Sequence, residues 1–145
     1  MDSNFCLFEL EVECLKKVAR ESQRSLEIGV GSGRFAEALG IKFGLDSSRD
    51  LLKMAEKRGI IGILGKAERL PFKDESFEFA YMIFSLCFFE DPLIALKEAY
   101  RVLKSDGRLI LGVIPSESPW AKYYQEKAKK VIKFILRPDS TPPMS

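Results

Sequence analysis

Residues Leu26–Phe35 read LEIGVGSGRF. Three glycines, Gly29, Gly31 and Gly33, stand two apart, and an acid, Glu27, precedes them. Leu26 and Ile28 flank that acid as the end of a buried strand would. The continuation, RFAEALG, has the pattern of a helix closed by Gly40. The stretch therefore reads as a strand that turns sharply on glycine into a helix. Glycine permits positive φ and lets a ligand touch bare backbone, and the start of a helix adds unpaired N–H donors. A dinucleotide fingerprint would be GxGxxG, but counted from Gly29 its third glycine falls on Arg34, so the spacing here is GxGxG. From this stretch alone, a tight turn without a ligand is an equal reading.

Outward from it, the same alternation repeats. Residues 5–22 carry Phe8, Val12, Leu15 and Val18/Ala19 at helical spacing. IKFGLD is a short strand ending on Asp46. SSRDLLKMAEKRG opens on a serine cap and ends on Gly59, which marks a helix. IIGILG is a third strand, KAERLPFKDES a polar loop, and FEFAYMIFSL an apolar run suited to a central strand. DPLIALKEAYRVLKSDG has Pro92 near a helix start and Gly107 past its end, and RLILGVI follows as a fifth strand. A basic helix is expected over 119–136, and the proline-rich RPDSTPPMS, 137–145, reads as a disordered tail. Strands alternating with helices imply a doubly wound, mostly parallel sheet covered on both faces. In such sheets ligands sit at the carboxyl ends of the strands, where the strand order reverses.

The bulk properties narrow the chemistry. The 145 residues suit one domain, 1–136, with one sizeable core. A net charge of +2 gives no global field for nucleic acid or anionic membrane. The chain has no histidine, so Ser-His triads, histidine-ligated metals and histidine acid–base work drop out. Three cysteines, Cys6, Cys14 and Cys87, form neither a disulfide framework nor a zinc pattern. No metal is expected. No signal peptide or stretch of about 20 apolar residues is visible, so a cytoplasmic protein is the expectation.

Asp46 ends the second strand, where a carboxylate can accept both hydroxyls of a ribose; the competing reading is that it caps the next helix, alone or with Ser47. Past the third strand comes GKAERLPFKDESFEFAYM, and later ALKEAYRVLKSDGRLILG. With these blocks the chain resembles the class I S-adenosylmethionine-dependent methyltransferases, particularly the small subgroup with an LPF.D.SFD loop and an RVLKPGG segment. The resemblance runs from Leu26 to Ile114 as four blocks in order. It implies a Rossmann-like fold and S-adenosyl-L-methionine as cofactor, with S-adenosyl-L-homocysteine as product. It also implies that Glu27, Gly29, Gly31 and Gly33 surround the methionine portion and ribose and that Asp46 binds the ribose hydroxyls. Ala67 and Glu68 would lie against the adenine, with Leu70 closing the pocket; a solvated loop carboxylate is the competing reading for Glu68, and the main chain of Ser47 is a candidate to cover one adenine face. The strand end from Met82 to Ser85 would face the sulfonium and the acceptor.

Such a cofactor brings an activated methyl, so the protein chiefly has to align donor and acceptor and exclude water. An amine or hydroxyl acceptor needs a base. Glu90, Asp91 and Tyr81 are candidates, none preferred, and Glu90-Asp91-Pro92 also reads as a helix cap. SLCFFEDP replaces the NPPY-type stretch of amine methylases, which favours a small or apolar acceptor; Cys87 beside Phe88 and Phe89 reads as core packing. The expected activity is methyl transfer to a small molecule, with a cofactor-binding but inactive or regulatory module as the alternative. A nicotinamide oxidoreductase is disfavoured by the glycine spacing. A nucleic-acid methylase has only KAKKVIK, Lys127–Lys133, in its favour. The family sheet has seven strands, and the last two are expected to be lacking here. A frameshift near Val131–Arg137 or a biological short form would account for that. The fifth strand, Arg108–Val113, would then be an apolar edge that self-associates into a homo-oligomer or is covered by the basic C-terminal helix.

Overall fold

The computed structural model describes residues 3–113 and 132–136, with side chains from 8 to 112. The elements follow the alternation of the sequence. They run α1 (Ser3–Lys16), β1 (Ser25–Ile28), α2 (Arg34–Leu39), β2 (Phe43–Asp46), α3 (Arg49–Lys57), β3 (Ile61–Leu64) and β4 (Phe77–Ile83). A 3₁₀ turn (Leu86–Phe88), α4 (Pro92–Val102), β5 (Leu103–Val113) and β6 (Ile132–Leu136) complete the order. The sheet order is β3-β2-β1-β4-β5-β6. β1 to β5 are parallel, and β6 is antiparallel to β5. The direction of winding reverses between β1 and β4, the switch point where α/β sheets open a crevice.

β1 lies mid-sheet because all four of its residues are buried. Leu26 faces Phe43 of β2 on one side and Ala80 of β4 on the other. One apolar layer joins Leu26, Ile28, Leu45 and Met82 to Ala95, Ala99 and Val102 of α4. On the opposite face, Val30, Tyr81, Ile83 and Ile110 pack with residues of α1, α2 and α3. Local signals fix the helix ends. Ser48 caps α3 by accepting from Leu51 N at 3.2 Å, and Asp91 caps α4 by accepting from Ile94 N at 3.1 Å. Gly40 ends α2 in the left-handed region. α4 stops before Gly107: Leu103 already pairs with Phe77, and the chain bulges until Arg108 meets Phe79.

Two expectations are corrected at the C-terminal end. Ile132–Leu136 is a strand, not the end of a helix; its backbone pairs with β5 from Leu109↔Leu136 to Val113↔Ile132. The run IKFIL is rich in residues that favour strands, and β5 offered it an unpaired edge. That edge is therefore covered over Leu109–Val113 by this chain, as a strand rather than as a helix. The remainder of the expected helix and the tail 137–145 lie outside the described residues.

Candidate functional site

At the carboxyl ends of β1, β2 and β4 lies a cavity of about 430 Å³, a size suited to a small-molecule ligand. Gly29 and Gly31 form one wall, and Asp46 and Ser47 a second. Gly65 to Glu68 form a third, and Ile83, Phe84, Ser85 and Phe88 to Glu90 a fourth.

The glycine wall is shaped by a close approach. Gly29 has φ +82°, and a Cβ there would stand 2.7 Å from Ser85 Cβ and 3.3 Å from Phe89 Cζ. Ser85 Oγ donates to Ile28 O at 2.9 Å and fastens the end of β4 over that turn. Gly31 also has positive φ, +57°, but a Cβ there would meet nothing within 4 Å. The space it leaves belongs to the cavity.

Asp46 joins the two walls. Its Oδ2 accepts from Gly31 N at 2.8 Å and its Oδ1 from Ser48 N at 2.9 Å. A carboxylate has about four acceptor sites, so capacity for two hydroxyls is left. Below the turn, Glu27 is 2% exposed and its Oε1 has no hydrogen-bond partner. Burial, and then the charge of Asp46, hold the Glu27 carboxyl well above the ordinary carboxylate range.

Of the residues singled out in the sequence, the cavity brings together Gly29, Gly31, Asp46, Ser47, Ala67 and Glu68. Gly33 instead packs on Ala55 of α3. Leu70 and Met82 face the apolar layer under α4; on β4 the cavity wall begins one residue later, at Ile83. Glu68 Oε2 accepts from Asp91 N at 3.0 Å, so its carboxylate already holds the start of α4. Among the base candidates only Glu90 lines the cavity, and it pairs with Lys66 at 3.6 Å with its side chain 82% exposed. Tyr81 is fully buried, with its hydroxyl against the backbone of Arg20. Asp91 is a helix cap. Cys87 is exposed, which corrects its reading as core packing.

Leu45, Leu51, Gly65, Lys66 and Phe88 also line the cavity and were not anticipated. The FF pair was the signal for Phe88, which stands 82% exposed at the rim. Phe84 holds φ +58°, uncommon for an aromatic residue, with its N–H bonded to Gly112 O at 2.8 Å. That turn swings Ser85 across the top of β1. Among the described residues no group of three or more His, Cys, Asp or Glu side chains is arranged to hold a metal. No helix among them is long and apolar enough to cross a membrane.

A glycine turn at the switch point, with an acid at the end of the next strand and a cavity between them, defines a Rossmann-like α/β protein with a crevice for a small ligand. Comparison with known proteins narrows the class. Residues 26–111 match the family model described as "Methyltransferase domain". A crystal structure from Thermotoga maritima shares 45% identity at a TM-score of 0.75, covering 86% of this chain and 62% of that one. It is described as a SAM-dependent methyltransferase, possible histamine N-methyltransferase. The Methanocaldococcus jannaschii protein "Uncharacterized protein MJ1123" is 46% identical over 129 residues, covering 89% of this chain and 62% of its own length. A demethylmenaquinone methyltransferase of Thermotoga maritima is 39% identical over 124 residues, 78% of this chain and 54% of its own. The chain thus spans about half to three-fifths of the length of these relatives. It belongs to the class I S-adenosylmethionine-dependent methyltransferases.

The residues present fit that cofactor. The open space at Gly31 admits an extended arm beside bare backbone, and the free acceptor sites of Asp46 suit a diol; Glu27 stays buried outside the cavity lining, with its Oε1 unpartnered.

Proposed function

We propose that this chain transfers a methyl group from S-adenosylmethionine to a small, largely apolar acceptor. The observation that carries the reading is the Asp46 carboxylate, held by Gly31 N on the cavity wall with acceptor capacity left over. In this reading Asp46 takes the ribose hydroxyls. Glu27, Gly29 and Gly31 lie along the amino-acid arm, with Gly33 setting the turn from behind. Ser47, Ala67 and Glu68 flank the adenine; Leu70 supports that wall from the core, and Met82 supports the end of β4.

The cofactor supplies a methyl already activated on a cationic sulfur. The chain's own residues hold donor and acceptor in line and keep water out, a proximity effect of several kcal/mol, roughly 7–11 at its fullest. Ile83, Phe84, Phe88 and Phe89 make most of the remaining wall apolar, beside Ser85 and Glu90, which favours an acceptor with an apolar body. The names of two relatives, a demethylmenaquinone methyltransferase and a possible histamine N-methyltransferase, also speak for small molecules.

The test is transfer of labelled methyl from S-adenosylmethionine to a panel of small quinols, phenols and aromatic amines, with a protein and an RNA pool as comparison. Label on one class of small acceptor supports the reading. Label confined to protein or RNA, or cofactor binding with no transfer to any acceptor, overturns it.

A further inference from the structure

The adenine-side wall of the cavity is a loop, Gly65–Ser76, and loops hold a shape only where their backbone polar groups are bonded. Its ends are tied elsewhere, Gly65 N donating to Asp46 O at 3.0 Å and Arg24 Nη1 to Ser76 O at 3.2 Å, but the bonds to its middle at Leu70 and Phe72 come from one side of α4. Leu70 N donates to Glu98 Oε1 at 2.8 Å, and Leu70 O accepts from Arg101 Nη2 at 2.9 Å. A single ion pair three residues apart on a helix thus bonds both backbone groups of Leu70, as a neighbouring strand would. Arg101 Nη1 also donates to Phe72 O and to Asp74 Oδ1, each at 2.8 Å. Its Nε and its second Nη2 donor close on Glu98 Oε2 at 2.9 Å and Oε1 at 3.0 Å. All five guanidinium N–H donors have acceptors, a pattern that only the planar fork of arginine can supply.

The same helix grips the loop at its other end. Glu68 Oε2 accepts from Asp91 N just before α4, and the N–H groups of Glu75 and Ser76 donate to the carbonyls of Arg101 and Val102 at 3.0 and 2.8 Å. Ala67 and Leu70 are buried between these fastenings at 4% exposure each, so a shift at Leu70 carries to Ala67 and Glu68 on the cavity wall.

We propose that Glu98 and Arg101 are positioning residues for the cofactor: they fix the loop Gly65–Ser76 at the distance from Asp46 that an adenosine needs, without touching the ligand. This rests on the reading of Ala67 and Glu68 as the adenine wall. It separates the acid that meets the ligand, Asp46, from an acid whose carboxylate is taken up by architecture, Glu98.

The experiment is calorimetric titration of the full chain, well below its melting midpoint, with S-adenosylhomocysteine and with 5′-methylthioadenosine, which lacks the amino-acid arm. Arg101→Lys and Arg101→Gln are expected to weaken both ligands by the same factor, about tenfold, because the defect lies on the adenosine side. Lysine should fail to rescue, since it supplies one point charge and three donors. Glu98→Gln keeps an acceptor for Leu70 N and loses less; it serves where an Arg101 variant does not fold. Backbone amide shifts of Ala67 and Glu68 should move in each variant. A purely structural role would lower the melting temperature and leave the affinity of the folded chain unchanged, and that result overturns the proposal. Loss confined to S-adenosylhomocysteine also overturns it. Failure of the wild-type chain to bind either ligand removes the underlying reading, and the proposal with it.

Discussion

Asp46 Oδ2 accepts a 2.8 Å hydrogen bond from the amide of Gly31, so the acid at the end of β2 and the glycine turn after β1 form one unit. The bond crosses the boundary between two neighbouring strands. It means the Asp46 carboxylate and the bare backbone of the glycine wall cannot move independently. Asp46→Ala removes two amide partners and the proposed diol site together. We expect at least about a hundredfold loss of S-adenosylhomocysteine affinity, roughly 2.7 kcal/mol. Asp46→Asn keeps one acceptor oxygen and should fall between. Calorimetry reads both.

Gly29 and Gly31 should answer differently to the same methyl. At Gly29 a Cβ meets Ser85 Cβ at 2.7 Å on a positive φ, so Gly29→Ala should cost about 2–4 kcal/mol of stability. At Gly31 only the backbone conformation resists, about 1 kcal/mol, because nothing lies within 4 Å. Gly31→Ala should melt close to the wild type and still bind S-adenosylhomocysteine more weakly, since its methyl occupies cavity space. Thermal melts paired with titrations separate the two.

Glu27 sets a pH dependence of one sign. Its carboxyl, raised by burial and by Asp46, keeps in the folded state a proton that the unfolded chain releases. Stability contributed by this group therefore falls as pH rises from the ordinary glutamate pKa towards the raised one, and levels off above it. Glu27→Gln should flatten that fall and raise the neutral-pH melting temperature of the ligand-free chain. In the proposed reading the α-ammonium of the ligand's amino-acid arm favours the ionised form, so S-adenosylhomocysteine binding should release protons below the raised pKa. Titration in buffers of different ionisation enthalpy measures that release, and Glu27→Gln should abolish it.

Glu98 has the opposite sign. The hydrogen bond from Arg101, assisted by the Leu70 amide, holds its carboxyl below the ordinary range. Its stabilisation is complete above the unfolded pKa and is lost as pH falls through the lower folded one. Acid unfolding of Glu98→Gln should accordingly be shallower than that of the wild type over that range.

Much of this site was readable because it is written in local signals. Gly40, Ser48, Gly59 and Pro92 punctuate the helices, and once β2 ended on Asp46, that acid was bound to stand at the sheet's carboxyl edge beside Gly29 and Gly31. What was hidden depends on distant partners. Met82 and Ile83 are equally apolar, and only the pleat of β4 decides which one reaches the cavity. IKFIL fits a helix or a strand until the open edge of β5 is in place. Glu98 and Arg101 look like an ordinary solvated pair on a helix, and nothing nearby in the chain reveals that Leu70 needs them.

In the proposed function an adenosine lies across the ends of β1 and β2, held by Asp46. Titration of the full wild-type chain with S-adenosylhomocysteine, beside Asp46→Ala and beside NAD, tests it most directly. Saturable one-to-one binding of S-adenosylhomocysteine, a severe loss in the variant and no heat with NAD are the expected results. Equal affinity for wild type and Asp46→Ala, or binding of NAD in its place, would contradict it.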